Sequence, residues 1–248
     1  MTLAFTISAY RMHSFVRLGV AQLRKLCPQS PILISDDPSV ESEHIRAVAD
    51  EYGCTYRCPT KRRGHFSGDM QGIINSVAFG QACKADVAIK VSQRFVFRKP
   101  EAIGSIIKCF EDENIMAATP GKPRVTNGSN GFGAFGTLSD VLMIRVGSVS
   151  PEELLQIYRG RLMREQVPWR AFIECFADSL HSVKFPGRTR KIEELTNHSG
   201  DPIYLRRYQN SESQYRALAL ENGFNGIFPL TEWGGIEQRA YICNPIVA

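Results

Sequence analysis

The sequence lacks the features by which a membrane-spanning or nucleic-acid-binding protein is usually recognised. No apolar run approaches the roughly 20 residues that a transmembrane helix needs. There is no long run of lysine and arginine and no alternation of aromatic with basic residues. The amino end, MTLAFTISAYRMH, has no charged region before its short apolar run, so it predicts a first strand and not a signal peptide. These absences predict a cytoplasmic protein with no transmembrane segment and no nucleic-acid partner.

The cysteines are few, odd in number and scattered, which argues against a disulfide framework. There are seven of them. Cys54 and Cys58 lie close in sequence, but no second pair completes a zinc site. The pattern therefore predicts reduced cysteines, as in a cytosolic protein.

What the sequence does contain is the composition of a globular α/β protein. Hydrophobic residues make up 43% and charged residues 22% of the 248 residues. The formal net charge of +5 suits a site for an anionic small molecule. Apolar periodicity predicts strands at residues 3–8, 31–35, 54–58, 86–91, 115–119 and 141–146. It predicts helices at residues 12–26, between Ser39 and Gly53, at roughly 69–83 and at 100–112.

Strands that alternate with helices predict βαβ units and a mixed, mainly parallel sheet flanked by helices, in a single Rossmann-like domain. Ser39 is predicted to cap the second helix, and the run from Ser150 to Glu153 predicts a capping box that starts another. Beyond residue 186 the pattern weakens. We therefore predict an α/β domain at residues 1–186 and an irregular extension at residues 187–248 that packs on it or caps it.

Ligands of such sheets bind beyond the carboxyl ends of the strands. The segments that follow the strands here are residues 8–11, 35–39, 59–69, 92–94 and 119–140. Four of them carry motifs in an order found in one known family. These are Ser8-Ala9-Tyr10-Arg11, then Asp36-Asp37-Pro38-Ser39, then Gly64, Gly68 and Asn75, and finally Ile89-Lys90-Val91 before Ser92-Gln93-Arg94.

Over roughly its first 100 residues, the chain resembles the GT-A glycosyltransferases, which have the nucleotide-diphospho-sugar transferase fold. The resemblance implies that Tyr10 lies against the nucleobase and that Asp36 accepts hydrogen bonds from the base or ribose. The nucleotide-binding residues that it implies are Ser8, Tyr10, Arg11, Asp36, Arg62, Asp69 and Ser92. Turn and cap chemistry is the alternative for Asp36 and Asp37, and rim packing is the alternative for Tyr10.

The chain departs from that family at the triplet Ser92-Gln93-Arg94, where the resemblance leads us to expect a metal-binding Asp-x-Asp. Without two carboxylates the triplet cannot hold Mg²⁺ or Mn²⁺ in the usual way, so we predict no metal ligands and no required cofactor. One hypothesis is that Arg94, helped by Lys61, Arg62 or Arg63, balances the charge of the diphosphate in place of the metal. The alternative is that Arg94 is a surface residue of a domain that has lost catalysis.

An inverting transfer also needs a carboxylate base to accept the proton of the acceptor hydroxyl. Asp140 follows the glycine-rich stretch at residues 127–136, and Glu174 and Asp178 share one face of a predicted helix. Solvent exposure is the alternative explanation for that pair. We predict Asp140 and Glu174 as catalytic residues together with Arg94.

Three hypotheses for function follow. The first is a metal-independent or weakly metal-dependent glycosyltransferase that uses a nucleotide-sugar donor and a glycan or other hydroxyl acceptor. The second is a non-catalytic nucleotide- or glycan-binding module on the same scaffold. The third is a nucleotidyltransferase of related architecture, which the absence of glycine between Ser8 and His13 disfavours.

Overall fold

A computed structural model describes residues 1–93, 95–113, 115–119, 141–155, 191–194, 204–206, 212–225 and 244–245. The strands are β1 (Leu3–Ala9), β2 (Ile32–Asp36), β3 (Thr55–Arg57), β4 (Val87–Ser92), β5 (Phe95–Phe97), β6 (Ile115–Thr119), β7 (Val141–Arg145), β8 (Lys191–Glu194), β9 (Tyr204–Arg206), β10 (Phe224–Asn225) and β11 (Asn244–Pro245). The helices are α1 (His13–Leu26), α2 (Ser42–Glu51), α3 (His65–Ala82), α4 (Pro100–Phe110) and α5 (Glu212–Glu221).

Seven of these strands form one mixed sheet in the order β3-β2-β1-β4-β7-β6-β8. The pairs β3–β2, β2–β1, β1–β4 and β6–β8 are parallel, whereas β7 runs antiparallel to both β4 and β6. Two small antiparallel sheets, β5–β9 and β10–β11, accompany it. The predicted fold class, a mixed and mainly parallel sheet flanked by helices in one domain, is therefore confirmed.

The side chains of β1 alternate between two environments, as the twofold period of a strand requires. Leu3, Phe5, Ile7 and Ala9 join the main apolar core, which is built with residues of α1, α2 and α4. Thr6 and Ser8 belong to the other face, where α3 lies. Polar side chains of the central strands are thus gathered under a single helix.

Helix α3 approaches the sheet closely because glycines face the strands. A Cβ placed on Gly72 would lie 2.1 Å from Ser8 Oγ, and one placed on Gly80 would lie 2.9 Å from the Cβ of Ala88. Any larger side chain at these positions would push the helix and the sheet apart.

The predicted start of α3 at residue 69 is wrong, because the helix begins at His65. Gly64 precedes it with a φ of 83°, which favours glycine. The backbone N–H groups of Arg63 and Gly64, which immediately precede the helix, donate to the side chain of Asp37. The loop that contains the cations is therefore shorter than the sequence indicated.

Two predicted caps have different outcomes. Ser39 does not cap α2, since the helix begins at Ser42 and the Ser39 hydroxyl accepts from the N–H of Glu41 inside the preceding turn. The capping box at Ser150 is confirmed. The N–H of Glu153 donates to Ser150 Oγ at 3.1 Å, and the N–H of Ser150 donates to Glu153 Oε2 at 2.7 Å.

Part of the carboxyl-terminal segment contacts the first helix. Leu218, Ala219 and Phe224 form an apolar cluster with Phe15, Leu18 and Val96. Gln22 is 2% exposed and accepts from Asn222 Nδ2 at 3.0 Å. The predicted boundary at residue 186 lies outside the described residues, so the division into residues 1–186 and 187–248 stays a prediction.

Among the described helices, none has the length and apolar character needed to cross a membrane. The cytoplasmic location stays a prediction.

Candidate functional site

The site lies where the chain order of the sheet reverses. Strand β1 is flanked by β2 on one side and β4 on the other, and the three strands run in parallel. Ser8 is in register with Ser35 of β2 and with Ser92 of β4, so three serines form a row near the carboxyl ends. A crevice at such a reversal is the usual ligand position in α/β sheets.

Gln93 closes the end of the β1–β4 pair. The N–H of Tyr10 donates to Gln93 Oε1 at 2.8 Å, and Gln93 Nε2 donates to the carbonyl of Tyr10 at 2.7 Å. The N–H of Gln93 also donates to the carbonyl of Ser8 at 3.1 Å. The middle residue of the triplet therefore continues the strand pairing by one residue and fixes the backbone of Tyr10.

Two arginine side chains lie close to the ring of Tyr10. The guanidinium carbon of Arg62 lies 4.3 Å from the centre of the tyrosine ring, and that of Arg11 lies 5.2 Å from it. Arg11 and Met12 both adopt left-handed backbone conformations, with φ of 56° and 57°. Such conformations cost energy for residues other than glycine and concentrate at functional sites.

Asp36 ends β2 as a buried acid with one unsatisfied oxygen. The residue is 3% exposed. Its Oδ2 accepts from the Tyr56 hydroxyl at 2.9 Å, whereas its Oδ1 is buried without a hydrogen-bond partner. Burial raises the pKa of Asp36 above its ordinary value, and the Tyr56 hydroxyl together with the nearby polar side chains of Ser42 and Cys58 opposes that effect. Burial likewise raises the pKa of Tyr56, and the bond to Asp36 adds to the increase.

Asp37 has a different set of partners. Its Oδ1 accepts from the N–H of Arg63 at 2.7 Å, and its Oδ2 accepts from the N–H of Gly64 at 3.1 Å. Arg62 Nε lies 3.8 Å from the same Oδ2. Asp37 therefore bonds to the backbone of the turn before α3, which agrees with the turn chemistry given as the alternative for this residue.

A chain of polar side chains runs along this edge from the loop to β2. Arg63 Nη1 donates to Gln71, Gln71 Nε2 donates to Asn75 Oδ1 at 2.8 Å, and Asn75 Nδ2 donates to Ser35 Oγ at 2.8 Å. Arg57, at the end of β3, also donates to Asn75 Oδ1 at 3.3 Å. The chain fixes several polar groups at the carboxyl ends of β2 and β3.

A buried ion pair lies under α3. Lys90 Nζ is 3.1 Å from Asp69 Oδ1, and the two side chains are 1% and 19% exposed. The hydroxyls of Thr6, Ser8 and Ser76 are buried without hydrogen-bond partners. Because a buried lysine needs an opposite charge nearby, Asp69 holds the charge of Lys90 in the interior.

The sequence-predicted residues divide into two groups. The structure brings seven of them to the carboxyl edge of the sheet: Ser8, Tyr10, Arg11, Asp36, Arg62, Asp69 and Ser92. Their nucleotide-binding role stays a prediction. Arg94, Asp140, Glu174 and Asp178 lie outside the described residues, so their catalytic roles also stay predictions.

Sequence reasoning missed the contacts of Asp37, Gln93 and the Lys90–Asp69 pair. The partners of these residues are 21 to 83 positions away, and no local pattern reveals such a distance. Within the described ranges, no group of three or more histidine, cysteine, aspartate or glutamate side chains is placed to hold a metal ion.

No family model matches the sequence, and no curated protein matches it. Solved structures do resemble it. A glucosyl-3-phosphoglycerate synthase from Mycobacterium tuberculosis, in complex with Mn²⁺, uridine diphosphate and phosphoglyceric acid, is 14% identical with a TM-score of 0.47, over 73% of this chain and 65% of that one. A mannosyltransferase from Pyrobaculum calidifontis, in complex with GDP-Man and Mn²⁺, is 11% identical with a TM-score of 0.45, over 74% and 65%.

A cytidylyltransferase from Leptospira borgpetersenii is 9% identical with a TM-score of 0.42, over 68% of this chain and 67% of that one. This chain thus spans about two thirds of the length of each of the three. Likeness at such scores carries no conclusion about activity, which has to be argued from the side chains of this chain.

Proposed function

We propose that this chain is a glycosyltransferase that moves a sugar from a nucleotide-diphospho-sugar to a hydroxyl acceptor. The observation that carries the proposal is a rim of exposed cations at the carboxyl edge of the sheet. Its members are Arg11, Arg57, Lys61, Arg62 and Arg63. Such a rim attracts the negatively charged diphosphate of the donor. The carboxylates nearby are buried or partly buried and are already bonded to protein groups, so the exposed charge is positive.

Asp36 and Tyr10 supply the features that a nucleoside needs. Asp36 Oδ1 is an acceptor with no donor from the protein, and an N–H of a base or a hydroxyl of ribose would satisfy it. Tyr10 offers an aromatic ring for stacking, and the Arg62 guanidinium lies over that ring. These two residues support a nucleoside subsite next to the cationic rim.

The proposed reaction is a displacement at the anomeric carbon of the donor sugar. The acceptor oxygen forms a bond to that carbon while the bond to the β-phosphate oxygen breaks. Asp140 or Glu174 takes the proton of the acceptor hydroxyl. The diphosphate leaves with the electron pair, and Arg62 and Arg94 balance the negative charge that develops on it.

We propose further that the transfer does not require a divalent metal, since Ser92-Gln93-Arg94 offers no pair of carboxylates. Chelator should then leave activity unchanged. Replacing Arg94 by alanine should lower kcat on the order of 10²–10³-fold, because the charge that it meets grows in the transition state. Arg94→Lys should restore only part of the rate. Activity that disappears in chelator and returns with Mn²⁺ would refute the proposal.

A second candidate is a non-catalytic nucleotide-binding module. The observation that favours it is Gln93, whose amide oxygen and nitrogen are both bonded to the backbone of Tyr10. In this arrangement Gln93 stabilises the fold, since both polar atoms of its side chain are bonded to the backbone.

Calorimetric titration followed by a transfer assay separates the two. UDP, GDP and CDP are titrated first, and release of the diphosphate from their sugar conjugates is then measured with a panel of hydroxyl acceptors. Asp36→Ala should weaken diphosphate binding by about 1–3 kcal/mol, whereas Asp50→Ala, at an exposed position of α2, should not. Binding without any turnover would favour the module. No binding of any diphosphate would reject both candidates.

A further inference from the structure

Asp37 ties the end of β2 to the loop that carries the cations, which we call the cation loop (residues 61–64). One carboxylate oxygen accepts from the N–H of Arg63 and the other from the N–H of Gly64, at 2.7 and 3.1 Å. Both bonds go to the backbone, so they set the path of the loop whatever its side chains do. They also fix the loop at the point where α3 begins.

The surroundings of Asp37 hold it in this position. The residue is 9% exposed. A Cβ on Gly68 would lie 3.8 Å from the carboxylate, so the first turn of α3 packs against it. The N–H of Asp37 donates to the carbonyl of Ala9 at 2.9 Å, which joins the residue to the end of β1. The carboxylate is thus supported from β1, β2 and α3.

The same carboxylate also lies close to an arginine side chain of the cation loop. Arg62 Nε lies 3.8 Å from Asp37 Oδ2, and the Arg62 guanidinium lies over Tyr10. Arg62 is 55% exposed and therefore free to meet a ligand. Arg63 is held through Gln71. The position of both guanidiniums thus follows from a backbone path that Asp37 sets.

Asp37 itself is unsuited to touch a phosphate, because it carries the same sign of charge and both of its oxygens already accept hydrogen bonds. Its influence on an anionic ligand has to pass through the cation loop.

We propose that Asp37 is the positioning residue of the diphosphate subsite, holding the cation loop so that Arg62 and Arg63 meet the phosphates. This inference rests on the proposed function. It makes a distinction within that site, since Asp37 holds the loop whose cations meet the diphosphate, whereas Asp36, the acceptor proposed for the nucleoside, is bonded to Tyr56. The ratio of diphosphate affinity to nucleoside affinity therefore reports on Asp37. A general loss of stability would lower both affinities and leave their ratio unchanged.

Asp37→Asn tests the proposal with little change in volume. The amide keeps one acceptor oxygen and turns the other group into a donor, so one of the two backbone bonds is lost together with the charge near Arg62. Uridine, guanosine and cytidine, their diphosphates and inorganic pyrophosphate are titrated by calorimetry into the wild type and the variant. Affinity for the diphosphates and pyrophosphate should fall on the order of ten-fold. Affinity for the nucleosides should stay within about two-fold, a change too small to reflect a lost hydrogen bond.

Arg62→Gln keeps the test decisive if Asp37→Asn does not fold, because Arg62 is largely exposed. It should lower the preference for diphosphate over nucleoside in the same direction. Lys25→Gln is the matched control, since it removes one charge from the last turn of α1 at the opposite edge of the sheet. It should leave that preference unchanged.

The titrations distinguish failure of the proposed function from failure of the proposed role of Asp37. A wild type that binds none of the seven compounds overturns both the proposed function and the role of Asp37. A wild type that binds diphosphate, with an Asp37→Asn variant that loses nucleoside and diphosphate affinity equally or loses neither, overturns the role of Asp37 alone. An Arg62→Gln variant with unchanged preference also overturns that role, because Asp37 would then have no phosphate contact to position.

Discussion

At the scale of single residues, Glu41 links two elements that are distant in sequence. Its carboxylate accepts from the N–H of His13 at 3.0 Å and lies 2.7 Å from His13 Nδ1, at the start of α1. Burial acts to raise the pKa of Glu41. The hydrogen bonds from the backbone and ring of His13 and from the backbone of Met12 outweigh it, so the pKa lies below its ordinary value. Glu41 therefore caps α1 from the loop that precedes α2.

Replacing Glu41 by glutamine should destabilise the protein by about 1 kcal/mol at pH 7, as loss of a helix cap does. A carboxyl whose pKa is lowered by folding stabilises the native state above its unfolded pKa, and this contribution is lost as the pH falls through the folded value. The difference between wild type and Glu41→Gln should therefore shrink below about pH 4.3. Urea unfolding from pH 7 to pH 3 measures it.

Glu51→Gln provides the control for that series. Glu51 pairs with Arg17 at 2.8 Å but is 40% exposed, and exposed pairs contribute little. A Glu41→Gln difference that is no larger than the control, or that grows as the pH falls, would contradict the capping role.

The candidate site could be predicted from sequence only in part. Tyr10 and Asp36 were predictable from the sequence because they lie at the carboxyl ends of strands, which is where ligands bind. The functions of Gln93 and Asp37 were not, because each depends on backbone groups of another segment. Asp36 and Asp37 are neighbours of identical chemistry, yet one is bonded to a tyrosine and the other to a loop. Only the tertiary structure distinguishes them.

At the scale of elements, α3 determines how close the polar strand ends come to a helix. Gly68, Gly72 and Gly80 all lie on the side that meets the sheet or Asp37. This packing brings Asp69 within 3.1 Å of Lys90. These glycines lower the intrinsic helix propensity of α3. They also allow the helix to pack close to the sheet.

Gly80→Ala should destabilise the protein by about 1–2 kcal/mol. The added Cβ would lie 2.9 Å from the Cβ of Ala88, which cannot move without its backbone, and 3.0 Å from Val146 Cγ2, which can move only by rotation about χ1. Gly104→Ala in α4 is the matched control, because nothing lies within 4 Å of its added Cβ. It should stabilise by about 0.5–1 kcal/mol through helix propensity alone. Chemical unfolding measures the change in the free energy of unfolding for each variant. Changes of the same sign in both would refute the close packing of α3.

Element boundaries were predictable where the signal is local. Helix α4 begins at the predicted residue because Pro100 favours the first turn of a helix. Strand β6 begins at the predicted residue because it is a short apolar run. The start of α3 was missed because the carboxylate that holds the backbone just before it, Asp37, lies 27 residues away from Gly64. The prediction for Ser39 failed for a related reason, since its hydroxyl bonds within a turn that local propensity does not distinguish from a cap.

At the scale of the whole molecule, the described residues after position 203 contact the amino-terminal part of the chain. Strand β9 pairs with β5 antiparallel, so Phe97 is in register with Tyr204. Helix α5 meets α1 through Leu218, and Asn222, which follows α5, donates to Gln22 of α1. The contact joins residues 200 positions apart. We therefore expect the described parts of the chain to unfold together.

Leu218→Ala tests that expectation. Leu218 is 2% exposed and packs with Phe15, Leu18 and Val96, so truncation leaves a cavity in a shared cluster. The free energy of global unfolding should fall by about 2–5 kcal/mol, in one transition seen alike by fluorescence and circular dichroism. Leu220→Ala is the control on the same helix, because Leu220 is 52% exposed and its truncation should cost no more than about 0.5 kcal/mol. Two separate transitions, with only one shifted by Leu218→Ala, would show that the extension unfolds as an independent unit.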